Sequence, residues 1–241
     1  LVNQEDAQDP IGRMCIPSLD EFSLDGSRDT SGEESNVKLE GLQHKYTQTV
    51  LLLSTQNCAM YCRHCFRKRM VGVTDEELNH NMEEAIAYVA NHPEVTNVLV
   101  SGGDAFMNSN AALRRILEGF TALEHLDFIR FGSRIPVTLP ERIYGDPEFL
   151  DLFAQYAKKK PLYLVTQFNH PRELTEEASR AVHAMIERGV QVRNQTVLLR
   201  GVNDDGEVLF KFHQNKYPED RSRIFRRALA PGQTWLDEEL Q

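Results

Sequence analysis

Five apolar segments alternate with amphipathic segments along this chain, and this alternation constrains the fold more than any other feature of the sequence. Short apolar runs of this kind are typical of strands that are buried on both faces of a sheet. We predict strands at 49–54, 97–101, 128–131, 161–166 and 190–199. The intervening segments have helical periodicity, with helices predicted at 111–120, 147–158 and 173–188, and with a further helix that opens at a Thr74–Glu77 capping box. This order predicts parallel strands joined by right-handed helical crossovers.

Polar and glycine-containing segments follow directly after the predicted strands. They are residues 58–65, 102–104, 133–134, 167–170 and 200–201. The alternation by itself fits either a barrel or a doubly wound sheet. Because the active sites of barrels are built from the loops that follow the strands, where these segments would converge, we favour an α/β fold with a partial barrel of the TIM type.

The chain divides into three parts. Residues 1–45 form a polar N-terminal extension, in which 27–35 has the composition of a loop and little to bury. Residues 46–209 form the predicted barrel, which lacks a sixth strand, and residues 210–241 form a C-terminal tail. Leu209 runs directly into a strand-like segment at 210–214 that does not continue the pattern, so we expect residues to be missing between Leu209 and Phe210.

Composition excludes several classes of protein. A chain of 241 residues can bury a full hydrophobic core. The net charge of -9, from 36 acidic and 27 basic residues, argues against a nucleic-acid partner. No apolar run reaches the length of a membrane span and the first residues are unlike a signal peptide, so we expect a cytoplasmic protein without membrane contact. Of the four cysteines, Cys15 stands apart and is interpreted as a partly buried free thiol.

The other three cysteines lie within eight positions, as Cys58, Cys62 and Cys65 in a C-x3-C-x2-C spacing. This pattern is not that of a disulfide-bonded secreted domain, and it indicates an intracellular metal or cluster site. Three thiolates on a short loop can hold three irons of a [4Fe-4S] cluster and leave the fourth iron open to the amino and carboxylate groups of S-adenosylmethionine. The alternative is a tetrahedral zinc site whose fourth ligand is His64 or His44.

Further motifs follow the cysteine loop in order along the chain. The loop is flanked by Val50-Leu51-Leu52-Leu53 and Phe66-Arg67-Lys68-Arg69, and the later motifs are Ser101-Gly102-Gly103-Asp104, Gly132-Ser133-Arg134-Ile135-Pro136, Phe168-Asn169-His170-Pro171 and Asn194-Gln195-Thr196-Val197-Leu198-Leu199-Arg200-Gly201-Val202-Asn203-Asp204. This set covers roughly positions 45 to 205 and resembles the lysine 2,3-aminomutase family of radical S-adenosylmethionine enzymes.

The resemblance implies a (β/α)6 partial barrel and an isomerase that moves the α-amino group of an amino acid to the β-carbon. Lysine is the default substrate, and glutamate, arginine or another α-amino acid remains open. The implied cofactors are a [4Fe-4S] cluster, S-adenosylmethionine and pyridoxal 5'-phosphate. In that family the amino group is carried as a pyridoxal phosphate aldimine, while a 5'-deoxyadenosyl radical abstracts the β-hydrogen and the hydrogen is later returned.

The resemblance also implies a binding site for S-adenosylmethionine at the strand ends. Its residues are Gly102, Gly103, Asp104, Ser133, Arg134 and Gln195. Glycines let the backbone approach a ligand closely, although a plain tight turn would use them equally well. For the two residues at the third strand end, a structural role is an equal alternative, and Gln195 could instead cap a strand end.

Two further roles concern the substrate and pyridoxal phosphate. Arg67 matches the family position that holds the substrate carboxylate, which a guanidinium binds through two parallel hydrogen bonds. The alternative is an exposed charge in the basic run 67–69. Lys45 and Tyr46 match the positions that approach pyridoxal phosphate.

The sequence departs from the family pattern at three places. Thr49 stands where an arginine that grips the cofactor phosphate is expected, and Gln167 stands where lysine mutases carry a histidine. The lysine that forms the aldimine has no recognisable counterpart, since Lys211 and Lys216 are the only late lysines and neither lies in a motif. The catalytic residues therefore remain unassigned.

Two other functions stay open. The nearer one is a radical S-adenosylmethionine enzyme that works without pyridoxal phosphate, and the more distant one is a zinc-stabilised binding module that is not an enzyme. For the aminomutase, the expected partners are a small amino acid substrate, an electron donor such as flavodoxin or ferredoxin, and a second copy of the chain in a homo-oligomer.

Overall fold

A seven-stranded sheet forms the centre of the computed structural model, which describes residues 1–22, 29, 32–72, 82–204, 207–212 and 223–228. The strands follow chain order across the sheet: β1 (Val37–Leu39), β2 (Leu42–Tyr46), β3 (Thr49–Thr55), β4 (Asn97–Gly102), β5 (Phe128–Gly132), β6 (Leu162–Thr166) and β7 (Gln191–Asn194). Strands β1, β2 and β3 pair antiparallel, whereas β3 to β7 pair parallel. All carboxyl ends of the parallel strands therefore meet at one edge.

Helices α2 to α7 separate the parallel strands and pack against one face of the sheet, whereas α1 precedes the sheet and packs in a small second core. The helices are α1 (Pro10–Cys15), α2 (Met82–Ala90), α3 (Asn110–Thr121), α4 (Ile135–Thr138), α5 (Glu141–Tyr144), α6 (Pro147–Ala157) and α7 (Glu176–Glu187). The core contains an aromatic cluster of Phe106, Phe131, Phe149 and Phe153, whose ring centroids lie 4.7–6.0 Å apart. Each fully buried phenylalanine contributes about 1.5–3 kcal/mol to folding, so this cluster fixes the helices over the sheet.

The open sheet confirms the prediction of a partial barrel. In the part of the chain that the structure describes, five parallel strands and their crossover helices are present, and the sheet does not close on itself. The expectation that the first strand begins at Thr49 was wrong, because β1 and β2 precede it and extend the sheet. Leu42 of β2 is fully buried in the main core, so part of the polar N-terminal segment joins the sheet. The division at residue 45 stays a prediction.

The last parallel strand is shorter than the predicted 190–199. Strand β7 ends at Asn194. After it, side-chain amide oxygens accept backbone hydrogen bonds that the carbonyls of a neighbouring strand would otherwise accept. Asn169 Oδ1 accepts from the backbone N–H of Val197 at 2.8 Å, and Asn203 Oδ1 accepts from that of Leu199 at 2.8 Å. Helix α7 also begins later than predicted, at Glu176, because Pro171–Glu173 forms a separate 3-10 turn.

The C-terminal tail forms a separate antiparallel pair, β8 (Glu207–Phe212) with β9 (Arg223–Ala228). Strand β8 runs through Leu209 and Phe210, and the expectation of missing residues at that point stays a prediction. The predicted capping box at 74–77 and Lys216 lie outside the described residues. In the part of the chain that is described, no helix combines the length and the apolar character that crossing a membrane requires.

Candidate functional site

The cysteine loop leaves the carboxyl end of β3, at the edge where the other parallel strands also end. Cys58, Cys62 and Cys65 are free thiols of intermediate exposure. Burial raises the pKa of Cys58 to about 12 and also raises the pKa of Cys65. Among the described residues, no three histidine, cysteine, aspartate or glutamate side chains already converge on one point. The loop thus brings the three thiols into one region without a preformed metal cage.

The three cysteines of this loop suffice for a [4Fe-4S] cluster, whereas structural zinc would also need His44 or His64 as a ligand. Zinc requires a fourth protein ligand. His44 is on β2, where its Nδ1 lies 3.0 Å from the hydroxyl of Tyr88 and its Nε2 lies 3.2 Å from the carbonyl of Thr47. His64 is in the loop, where burial and the neighbouring Arg134 lower its pKa to about 4. Three thiols that leave one iron free match a [4Fe-4S] cluster of the kind that binds S-adenosylmethionine.

Two glycines at the end of β4 allow the strand to press against the base of the cysteine loop. A Cβ on Gly102, whose φ is +123°, would lie 2.3 Å from the carbonyl oxygen of Thr55. A Cβ on Gly103 would lie 2.3 Å from the carbonyl oxygen of Asn57. Instead, the Gly103 N–H donates to Thr55 O at 2.6 Å and the Asp104 N–H donates to Asn57 O at 2.8 Å. Glycine is therefore required here by the approach of two backbones.

Asp104 supports the neighbouring strand end from within the protein. Its carboxylate accepts from the backbone N–H groups of Arg134 at 2.7 Å and of Phe106 at 3.0 Å. Complete burial raises the pKa of Asp104, although these hydrogen bonds and one from Ser133 act in the opposite direction. Both oxygens are thus engaged by the protein, and the contact of Asp104 with S-adenosylmethionine stays a prediction.

Arg134 connects the cysteine loop to the loop that follows β6. Its Nη1 lies 2.9 Å from the sulfur of Cys62, and its Nε donates to the carbonyl of Gln167 at 3.1 Å. Its Nη2 forms an ion pair with Glu173, and both side chains are at least nine-tenths buried. Sequence reasoning missed Glu173, although its position three residues after His170 is typical of a capping box, which the structure contains.

The structure places the remaining predicted residues at two different edges. Gln195 follows β7 at the carboxyl edge and is exposed, and its N–H donates to Thr166 O at 2.8 Å. Arg67 lies near the same edge, beside a cavity of about 260 Å³ that is also lined by Gly102. Lys45 and Tyr46 are exposed near the opposite edge, because β2 runs antiparallel to β3 and Tyr46 pairs with Thr49. The structure therefore does not bring these two residues next to the cysteine loop.

Arg130 is a second residue that sequence reasoning missed. It lies in the middle of β5 on the face away from the helices, where its Nη2 donates to Asn97 Oδ1 at 2.6 Å and Thr49 donates to the same oxygen at 3.1 Å. Its buried Nε has no hydrogen-bond partner among the described residues, and strands β3 to β7 contain no acidic residue. Burial accordingly lowers the pKa of Arg130. A charge within the apolar run Phe-Ile-Arg-Phe was the available signal.

The N-terminal helix joins three loops of the carboxyl edge. The backbone N–H of Arg63 donates to Met14 O at 2.9 Å, and the Arg63 guanidinium donates to Arg13 O at 3.1 Å. Asp9, the N-cap of α1, forms an ion pair with Arg172 in the loop after β6. Ile11 and Met14 pack with Val202 after β7 in a small second core. The extension thus closes one side of the candidate site.

Most of this chain is similar in sequence to known proteins. Residues 52–213 match the model of the radical SAM superfamily. The chain is 41% identical over 211 residues to a putative L-lysine 2,3-aminomutase of Aquifex aeolicus, covering 87% of this chain and 56% of that protein. It is 41% identical to the L-lysine 2,3-aminomutase of Clostridium subterminale (87% and 50% covered) and 36% identical to the glutamate 2,3-aminomutase of Clostridioides difficile (87% and 49% covered).

The chain spans about half the length of the curated relatives that it matches. The matched region nevertheless includes the three cysteines, the paired glycines and the strand-end loops described above. The chain therefore belongs to the radical SAM superfamily.

Proposed function

We propose that this chain is the radical SAM part of an amino acid 2,3-aminomutase, which moves the α-amino group of lysine, glutamate or a related amino acid to the β-carbon. The observation that carries the proposal is the three-cysteine loop at the carboxyl edge of a parallel sheet, packed against Gly102 and Gly103. The names of the similar proteins support the reaction class and leave lysine and glutamate as the leading substrates.

Cys58, Cys62 and Cys65 would hold the [4Fe-4S] cluster. When bound, the cluster and S-adenosylmethionine supply a carbon radical that can remove hydrogen from an unactivated carbon. The protein would position the cluster through Cys62, because Arg134 donates to the sulfur of Cys62 and is itself held by Glu173. The backbone at Gly102 and Gly103 and the side chains of Ser133 and Gln195 lie on the same edge and would contact S-adenosylmethionine.

Arg67 would bind the carboxylate of the amino acid substrate. Its side chain is only 13% exposed and lines the cavity beside Gly102, so the carboxylate would be bound away from bulk water. A guanidinium suits this task because it remains charged when buried and can donate two parallel hydrogen bonds.

Pyridoxal phosphate is the third cofactor of the proposed enzyme, and it allows an amino group to migrate between carbons. Lys45 and Tyr46 would approach its phosphate from the amino edge of the sheet. Arg130 supports this location, because a half-buried guanidinium without an acidic partner among the described residues favours an anion nearby. Asn97 and Thr49 hold Arg130 close to the strand end where Tyr46 lies.

The proposal is tested by supplying the anaerobically reconstituted protein with S-adenosylmethionine, pyridoxal phosphate, reductant and either L-lysine or L-glutamate. We expect the β-amino isomer of one substrate to accumulate, as measured by chromatography and mass spectrometry, and a Cys62→Ala variant to form none. Cleavage of S-adenosylmethionine without any β-amino acid from either substrate would contradict a lysine or glutamate aminomutase.

A second candidate is a radical SAM enzyme that works without pyridoxal phosphate. The observation that favours it is the position of Lys45 and Tyr46, which are exposed and remote from the cysteine loop along β3. A borohydride-sensitive pyridoxal absorbance band in the reconstituted protein separates the two candidates, because only the aminomutase requires it.

A cytoplasmic location, an electron donor such as flavodoxin or ferredoxin, and a homo-oligomer belong to the first proposal.

A further inference from the structure

A carboxylate from the N-terminal extension reaches the arginine that is proposed to bind substrate. Glu33 Oε1 lies 2.6 Å from Arg67 Nε, and the two side chains are 5% and 13% exposed. The other oxygen, Oε2, lies 3.4 Å from Arg69 Nη2. An ion pair that is this short and this well buried is held in one geometry, unlike the mobile pairs of a protein surface.

Glu33 is also held at its backbone by Asp29, which in turn forms an ion pair with Arg69 at 3.2 Å. The carboxylate of Asp29 accepts from the backbone N–H groups of Glu33 at 2.9 Å and of Glu34 at 3.1 Å. These two hydrogen bonds lower the pKa of Asp29 below its ordinary value, which keeps its carboxylate ionised. The extension therefore places the carboxylate of Glu33 against Arg67 and Arg69, which both line the cavity.

Arg67 is fixed on two sides and open on a third. Its Nε is bound by Glu33, its Nη1 lies 3.3 Å from Ser101 Oγ, and its Cζ lies 4.6 Å from the centre of the Phe66 ring. These contacts use two of the five guanidinium N–H groups. The side chain lines the cavity of about 260 Å³ together with Thr55 and Gly102, which come from the ends of β3 and β4.

We propose that Glu33 is a positioning residue for the substrate carboxylate: it holds the guanidinium of Arg67 in one orientation, so that the Nη edge faces the cavity. This inference rests on the proposed function and adds a residue that lies outside the superfamily match at 52–213. An arginine that reaches its ligand already oriented loses less conformational entropy on binding than a freely rotating one. The N-terminal extension is thereby part of the substrate site.

The test compares Glu33→Gln with Glu34→Gln, a matched control on the same turn whose side chain is exposed. Each protein is reconstituted with cluster, S-adenosylmethionine and pyridoxal phosphate and kept unreduced, so that no turnover occurs. Calorimetric titration then gives Kd for L-lysine and L-glutamate, and for cadaverine and 4-aminobutyrate, which are the same molecules without the α-carboxylate. For the amino acid that the unaltered protein binds, Glu33→Gln should raise Kd about tenfold. The decarboxylated partner should bind as before, and Glu34→Gln should change neither value.

The outcomes separate the inference from the proposed function. An unchanged Kd of the amino acid in Glu33→Gln would overturn the positioning role, as would an equal loss for both members of a pair, which indicates general damage to the site. If the unaltered protein cleaves S-adenosylmethionine on reduction but binds neither L-lysine nor L-glutamate, the proposed function fails for both leading substrates, and this inference fails with it.

Discussion

Gly103 shows how the absence of a side chain shapes the site. Because a Cβ at this position would meet the backbone of Asn57 at 2.3 Å, no rotamer change can relieve the contact. We expect Gly103→Ala to lower the free energy of unfolding by about 1–3 kcal/mol and to reduce cluster incorporation. Gly12→Ala is the control, since its nearest neighbour would lie 3.4 Å away and alanine favours the helix. Urea denaturation and iron analysis of both variants test this; equal behaviour would contradict it.

Arg134 and Glu173 form a buried pair whose members depend on each other. Removing the guanidinium in Arg134→Met leaves the carboxylate of Glu173, 2% exposed, without its charged partner. We expect a loss of about 3–5 kcal/mol in the free energy of unfolding. The double variant with Glu173→Gln should recover part of this loss, because no unpaired charge then remains. Additive losses in a double-mutant cycle would show that the pair does not act as a unit.

At the residue scale, the sequence was most informative where chemistry limits the choice of residue. Cysteine spacing and a glycine pair after a strand have few explanations, so Cys58 and Gly103 could be singled out. The ion pairs of Glu33 and Glu173 could not be predicted, because their partners are 34 and 39 positions away in the chain. An acidic residue within a polar segment gives no local sign of a distant arginine.

At the level of elements, helix α1 connects loops at the carboxyl edge of the sheet. Its N-cap, Asp9, accepts from the N–H of Gly12 at 2.7 Å and pairs with Arg172. Burial opposes ionisation of Asp9, but the hydrogen bonds from Arg172 and Gly12 outweigh it and lower the pKa of Asp9 below the ordinary 3.8.

This shift predicts a specific dependence of stability on pH. Because the folded pKa of Asp9 is depressed, its contribution is present above pH 3.8 and is lost as the pH falls through the lower folded value. The difference in free energy of unfolding between the unaltered protein and Asp9→Asn should therefore be constant near neutral pH and shrink in acid. Denaturant titrations at several pH values measure it, and a difference that stays constant down to the acid range would refute the assignment.

Element prediction succeeded where periodicity was long and failed where hydrogen bonds were local. Strands β3 to β6 and helices α3 and α6 follow directly from apolar spacing, and each of their bounds differs from the prediction by at most one residue. Strands β1 and β2 were missed because they are short and largely polar and lack an alternating pattern. Strand β7 was overextended because the apolar residues after Asn194 pack in a turn that is held by Asn169 and Asn203.

On the scale of the whole molecule, the face of the sheet opposite the helices is positively charged. Strands β3 to β7 carry Arg130 and Arg193 and no acidic residue, although the chain as a whole has a net charge of -9. A cationic sheet face in an acidic protein favours anionic ligands. This contrast supports a phosphate-bearing cofactor on that face.

Arg130→Gln tests this charge. We expect it to weaken binding of pyridoxal phosphate roughly thirtyfold, or about 2 kcal/mol, because a desolvated charged hydrogen bond is lost. Arg180→Gln is the control, since Arg180 stacks on Tyr144 at 4.2 Å among the outer helices. Absorbance titration measures both variants, and equal affinity of Arg130→Gln and the unaltered protein would place the phosphate elsewhere.

The central claim is that three cysteines on one loop hold a cluster with an iron open to S-adenosylmethionine. Electron paramagnetic resonance of the anaerobically reconstituted and reduced protein, with and without S-adenosylmethionine, tests it most directly. The account predicts a reduced [4Fe-4S] signal whose shape changes on addition of S-adenosylmethionine. A protein that takes up no cluster and instead binds one tight zinc ion, or a cluster signal that is indifferent to S-adenosylmethionine, would contradict it.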